Sequence, residues 1–261
     1  MNWASVATYQ SWTEENSRKI QVPWNKLSKI IRPRGGNVGV IIAAPGVGKT
    51  TFGLNWVNRT NARTLYVSAD TNPTDVSAQL ASMITGDERI IVEKRLETSN
   101  EWKTEYSKAV FERNSNLVLD FDPSPSIQSV WDKAIALTEM WAMTPEMIVI
   151  DTASNIEMSD KGDNAEWQRV WLACKDIARN LNSFVLLMHH VKQGDAASGR
   201  VAPQMADGLW GSDKFPEFVL GLHAPNPSEL VMTVVKNRSG KKDVPVRLRP
   251  ELERARILDP E

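Results

Sequence analysis

Between an apolar run and an amphipathic one, the chain reads Ala44-Pro45-Gly46-Val47-Gly48-Lys49-Thr50-Thr51. Glycines at alternate positions let backbone N–H groups converge on phosphate oxygens with no Cβ in the way. Lys49 supplies a point charge for β- and γ-phosphates, and Thr50 offers its hydroxyl to Mg2+. A helix opening at Lys49 adds the positive end of its dipole at the same spot. The chemistry implied is binding of a nucleoside triphosphate, taken as ATP with Mg2+, along Ala44 to Thr51. The strict motif places Gly four residues ahead of the Gly-Lys pair, and here that place holds Ala43. A Gly-x-Gly-Lys-Thr alone arises easily in loops, so the reading rests on its surroundings.

Those surroundings contain further chemistry. Met147-Ile148-Val149-Ile150 runs into Asp151, about a hundred residues after the loop. A carboxylate at the carboxyl end of a buried strand stands where open α/β sheets bind ligands, and there it serves as a second Mg2+ handle. Asp70 follows the β-branched and aromatic run Thr64 to Ala69, and His189-His190 follow Ser183 to Met188. Two readings fit Asp70: an acid that orients attacking water, or a cap carboxylate ahead of Pro73. For His190 the choice lies between a γ-phosphate contact and a hydrogen-bonded strand-edge residue. His189 has the weaker claim of the two. Three His and one Cys with no ligand spacing do not assemble a separate metal site.

Elements must position these groups. The pattern predicts a strand over Val38 to Ala43 and a helix from Lys49 to about Arg59, then a strand over Thr64 to Ala69. Helices follow at about Thr74 to Ile84 and over Glu93 to Arg113, the second broken near Thr98. A strand at Asn116 to Phe121 leads to a helix from Ile127 to about Met143. The long helix Asp163 to Leu181 spaces Trp167, Val170, Trp171, Cys174 and Ile177 as a core-facing stripe. Upstream, Pro23 to Arg34 predicts a short helix closed by Pro33 and the Gly35-Gly36 turn. Downstream, Gly194 to Trp210 is a candidate mobile loop and Lys214 to Leu222 holds a strand. Leu230 to Val235 enters a hairpin turning at Asn237 to Gly240. Alternating strands and helices imply a mostly parallel central sheet flanked by helices, an α/β fold with a C-terminal β-hairpin.

Length and composition set bounds. The 261 residues suit one large α/β domain, here 23–261, preceded by an N-terminal arm over 1–22. Trp3, Trp12 and Trp24 fit either packing on the parent domain or docking of the arm on a neighbouring subunit. A formal charge of −1 excludes an overall polycation, so any nucleic-acid surface is a local patch. The lone Cys174 fits a reducing cytoplasm. No stretch suits a membrane span, and the N-terminus lacks a signal-peptide pattern.

In order along the chain, IIAAPGVGKTTF, YVSAD, MIVIDTAS, VLLMHHVKQG and VVKNRSG resemble the motifs of the RecA-like core of DnaB-type (superfamily four) hexameric helicases. The resemblance covers about Val22 to Leu258. It implies a P-loop ATPase with Lys49, Asp70, Asp151 and His190 as catalytic groups. It also implies that Lys236 and Arg238 complete the site of an adjacent subunit, Arg238 as an arginine finger. Read without the resemblance, Lys236 and Arg238 fit a solvated basic edge. The family's catalytic acid is Glu, where this chain has Asp70. Lys192, Arg200 and Lys214, with Lys241 and Lys242, are the candidates for holding nucleic acid. Arg247 and Arg249 fit an ordinary solvated edge at least as well.

The implied partners are single-stranded DNA or an RNA–DNA hybrid, further copies of the chain in a hexameric ring, and replication or recombination proteins. A core standing alone suggests a phage-encoded motor. Two other functions fit the motifs: a recombination mediator or annealing ATPase, and a nucleotide-gated regulatory scaffold that binds no nucleic acid.

Overall fold

Runs apolar at every position make strands that must be covered on both faces. The computed structural model describes residues 18–160, 164–191, 194–208 and 214–260. Among them the strands are β1 (Val38–Ala43), β2 (Thr64–Ser68), β3 (Leu117–Asp120), β4 (Met147–Asp151), β5 (Phe184–His190), β6 (Phe218–Asn226), β7 (Glu229–Asn237), β8 (Val244–Glu251) and β9 (Arg256–Leu258). They form one sheet in the order β3-β2-β4-β5-β1-β6-β7-β8-β9. The pairings from β3 across to β6 are parallel, and β6 to β9 form an antiparallel meander. The fold is therefore a mixed α/β sheet, mostly parallel and flanked by helices.

The helices are α1 (Asn25–Ser28), α2 (Lys49–Thr60), α3 (Pro73–Thr85), α4 (Arg89–Thr98), α5 (Asn100–Arg113), α6 (Ile127–Trp141), α7 (Asn164–Leu181) and α8 (Met205–Gly208). Alternation along β1 divides the core. Ile41 and Ala43 face a cluster with Phe52 and Trp56 of α2, while Val38, Val40 and Ile42 face Trp167 and Trp171 of α7. No helix among the described residues is long and apolar enough to cross a membrane.

The helix carrying Lys49 is held from both ends of the chain. Trp24 stacks on Phe52 at 4.1 Å and meets Trp56 edge-on at 6.0 Å. Its Nε1–H donates to Ile257 O at 3.0 Å in β9. Asn55 of α2 donates to Ala255 O at 2.8 Å and accepts from Ile257 N at 3.1 Å. Trp56 donates to Gln21 O at 2.8 Å. Ile20 and Val22 are also buried in this cluster, whereas residues 1–17, with Trp3 and Trp12, lie outside the described residues.

Several expectations change at the edges. The helix expected over Pro23 to Arg34 shrinks to Asn25–Ser28, because Arg34 turns back to bridge with Lys19. The break near Thr98 falls at Ser99, whose side chain caps α5 through Trp102 N. The strand expected at Lys214 to Leu222 begins at Phe218 and runs on to Asn226. The C-terminal hairpin turns through 238–243 instead of Asn237 to Gly240, with β7 extending to Asn237. Two strands, β8 and β9, follow where none was expected. Pro245 and Pro250 lower the strand signal of VPVRLRPE, and β8 is tolerated near the sheet edge because proline cannot donate to a central ladder. The stretch 194–208 contains a 3-10 turn (Asp195–Ser198) and α8, while Trp210 is outside the described residues.

Trp24→Ala removes a fully buried ring and one hydrogen bond, so unfolding free energy should fall by about 3–5 kcal/mol in urea denaturation. A loss under about 1 kcal/mol would show that the ring does not hold α2.

Candidate functional site

The phosphate loop starts where β1 stops. Ala43 is its last residue, fully buried and with ordinary strand backbone, so the place tolerates alanine. Gly46 and Gly48 have φ of +77° and +100°, a region that favours glycine. Ala44 and Val47 are buried, and Pro45 and Gly46 lie exposed at the tip. Gly48 is the N-cap of α2, and Phe52 N donates to Gly48 O at 2.8 Å to close the first turn. Thr50 is partly exposed on that turn. The Thr51 hydroxyl instead donates to Gln79 Oε1 of α3 at 3.2 Å.

Strand register delivers the remaining groups. Ser68 pairs with Asp151, Asp151 with Met188, and His190 with Ala43, which aligns the carboxyl ends of β2, β4, β5 and β1. Lys49 Nζ, on a side chain only 6% exposed, lies 3.4 Å from His190 Nδ1 and 3.5 Å from Nε2. His190 Nε2 is 3.4 Å from Asp70 Oδ2. Burial pulls the Lys49 ammonium below its usual range, and the charges of Asp151 and then Asp70 oppose that pull. The same burial, reinforced by Lys49, lowers the His190 imidazole against the pull of Asp70 and Asp151. The result is an ammonium and two carboxylates around a histidine, open toward the loop that would carry phosphates.

Asp70 is not a cap. Asn72 fills that role, its side chain accepting from Asp75 N, with Pro73 opening α3. Asp70 is left about half exposed (53%) with its carboxylate toward His190. His189 alternates to the other face, where it is buried against Trp167 at 5.3 Å and pairs through Nδ1 with His190 O.

Asp151 is 1% exposed. Tyr66 Oη donates to its Oδ2 at 2.9 Å, while Oδ1 is buried with no hydrogen-bond partner. A buried acceptor without a partner calls for an explanation, and a hydroxyl plus a carboxylate oxygen is a donor set for a hard cation. Thr50 and Asp151 therefore fit Mg2+. In the sequence Tyr66 reads only as strand packing. The usable signal is that a tyrosine inside a wholly buried strand must find a partner for its hydroxyl.

The other basic candidates do not gather at this edge. Phe218 pairs with both Gly39 and Asn237, so Arg238 sits at the opposite end of β1, about 13 Å of strand from Ala43. Arg238 follows β7, donates to Lys214 O and forms a 3.9 Å ion pair with Glu217. Lys236 precedes it in β7, opposite Val219. Lys241 and Lys242 are exposed in the following turn, and Lys214 is exposed nearby. Arg200 belongs to the phosphate end instead. It follows Gly199, where an added Cβ would come within 2.7 Å of Val47 Cγ2. Lys192 lies outside the described residues. An apolar cavity of about 270 Å3, lined by Leu80, Tyr106, Val110 and Leu117, sits at the β3 edge away from this chemistry.

Because His190 takes up a proton less readily folded than unfolded, stability rises with pH through the window below the ordinary histidine range and levels off above it. The apo protein should melt lower at about pH 5.5 than at about pH 7.5. His190→Asn should flatten part of that slope, leaving the part due to His223, which burial lowers in the same sense. A slope unchanged by His190→Asn would contradict the burial of this group beside Lys49.

A family model described as AAA domain (AAA_25) matches residues 6–196. The Gene 65 protein of Mycobacterium phage D29 is 27% identical over 213 residues, covering 78% of this chain and 89% of its own. The Gene 65 protein of Mycobacterium phage L5 is 26% identical over 218 residues, covering 80% of each. Among solved structures, a helicase ATPase domain matches with a TM-score of 0.80 at 15% identity, over 99% of this chain and 98% of that one. A DnaB-like replicative helicase, solved in a study of its interactions with primase, gives 0.81 at 16% identity, over 100% and 68%. The RadB recombinase gives 0.61 at 17% identity, over 93% and 100%. The chain belongs to the AAA_25 family of AAA domains, and its fold is the RecA-like P-loop ATPase core of the DnaB helicase type.

Proposed function

We propose that this chain is an ATP-driven motor on single-stranded DNA, acting in phage replication or recombination from the host cytoplasm as a ring of copies, with 23–261 as its working core. The observation that carries the reading is the split of the site residues between the two ends of the parallel sheet. Lys49, Asp151, His190 and Asp70 cluster at the carboxyl end, while Lys236 and Arg238 stand at the other. Arg238 is too far along the sheet to serve its own phosphate loop, so a catalytic Arg238 belongs to a neighbour's site. The fold shared with the solved helicase ATPase domain and the DnaB-like helicase supports the reading, as do the phage relatives.

In the chemistry proposed, loop N–H groups and Lys49 hold the phosphates, and Asp70, backed by His190, orients the attacking water. Thr50 and Asp151 would hold Mg2+, which when bound supplies positive charge to the phosphates. The neighbour's Arg238 would approach the transferred phosphoryl group once it leaves Glu217. Lys214, Lys241 and Lys242, with Lys192 and Arg200, are proposed to hold the DNA backbone. Few cations per copy suffice when several copies line one path. The RadB likeness favours a second reading, a recombination mediator that uses ATP for assembly.

Strand displacement on a forked duplex separates the two readings. The motor reading expects ATP-dependent displacement that Lys49→Ala abolishes, whereas DNA-stimulated hydrolysis without displacement would support the mediator. Hydrolysis that DNA does not change would favour a regulatory scaffold. Arg238→Ala should lower hydrolysis by about 10³-fold under assembling conditions and spare ATP binding. Mixing Arg238→Ala with Lys49→Ala chains should restore part of the rate at interfaces that pair an intact loop with an intact arginine. No recovery would count against a role in trans.

A further inference from the structure

Tyr66 lies in the middle of β2, fully buried, with its hydroxyl 2.9 Å from Asp151 Oδ2. The space around that hydroxyl is kept open by a glycine. A Cβ on Gly53, inside α2, would come within 3.0 Å of Tyr66 Oη and 2.1 Å of Met188 Cε. Glycine inside a helix gives up backbone entropy that alanine would not, and here the close approach of Tyr66 and Met188 accounts for it. Met188 is itself fixed, since Thr152 Oγ1 donates to its carbonyl at 2.8 Å. Residues from α2, β2, β4 and β5 thus converge on one carboxylate oxygen.

A carboxylate turns readily about its last torsion, which is broad and two-fold. One hydrogen bond from a packed aromatic ring removes that freedom and decides which oxygen is spent. Burial and the Asp151 charge push the Tyr66 phenol well above its ordinary range, so its proton is present to donate at neutral pH. The oxygen left over, Oδ1, is the buried acceptor without a partner.

We propose that Tyr66 is a positioning residue that locks the Asp151 carboxylate so that Oδ1 is presented to the Mg2+ of bound nucleotide, directly or through its water shell. The inference rests on the ATPase reading and adds to it a metal-tuning residue in a strand that does not touch the nucleotide. Outer partners of metal-binding groups typically change metal affinity by 10–100-fold when removed.

The test uses Mn2+ as a paramagnetic stand-in for Mg2+, titrated into the full chain with a non-hydrolysable ATP analogue and followed by electron paramagnetic resonance. Tyr66→Phe keeps the ring and should raise the Mn2+ dissociation constant by about ten-fold. Affinity for the analogue in EDTA should not change. In an Asp151→Asn background, Tyr66→Phe should add nothing further, because the tyrosine acts only through that carboxylate. Gly53→Ala, which crowds the hydroxyl while keeping the tyrosine, should weaken Mn2+ binding in the same direction. Equal Mn2+ affinity in wild type and Tyr66→Phe would overturn the proposal, as would an equal loss in the Asp151→Asn background. A wild-type chain that binds neither analogue nor Mn2+ would remove the ATPase reading and this inference together. A wild type that binds both, matched by Tyr66→Phe, would remove this inference alone.

Discussion

A lysine ammonium that is only 6% exposed has lost most of its hydration, and charges nearby must replace it. Around Lys49 that replacement comes from Asp151 on β4 and Asp70 after β2, with His190 on β5 between the ammonium and Asp70. Each group reaches the site because its strand ends there. A slip of one residue in β4 or β5 would turn its side chain to the other face and leave the ammonium unbalanced. The parallel register is thus the condition for the site. The two faces packed by α2 and α7 hold that register.

The seating of α2 follows the same logic. A phosphate loop works through backbone N–H groups, whose positions depend on where the following helix begins and how firmly it is held. Here the helix is held by Trp24 from the start of the described chain and by Ala255 and Ile257 from its end. The meander β6 to β9 therefore does more than extend the sheet. It returns the chain across the phosphate-loop helix and sets Arg238 at the far end of the same strands.

Much of the site was legible because strand-end chemistry is written in short local patterns. Val38 to Ala43 with its glycine loop, Met147 to Asp151, and Ser183 to His190 each join an apolar run to a polar terminus, and β1 and β4 keep the expected bounds. Asp70 could not be separated from a cap by pattern alone, since Asp70 and Asn72 both precede Pro73. The structure gives the cap to Asn72. Tyr66 and Gly53 were illegible as partners of Asp151 because their relation crosses three elements, and each looks locally like packing or a helix defect. The strands β8 and β9 were hidden by prolines and arginines, whose placement makes sense only beside β7.

If the buried charge cluster around Lys49 is a nucleotide site completed by metal, the two ligands must bind as a linked pair. Calorimetric titration of a slowly hydrolysed ATP analogue, with and without Mg2+, reads that linkage. The expected result is one site per chain, tighter with Mg2+ present and weakened at least about 100-fold by Lys49→Ala, the loss of one charged phosphate contact. Binding that is indifferent to Mg2+ and equal in wild type and Lys49→Ala would contradict it.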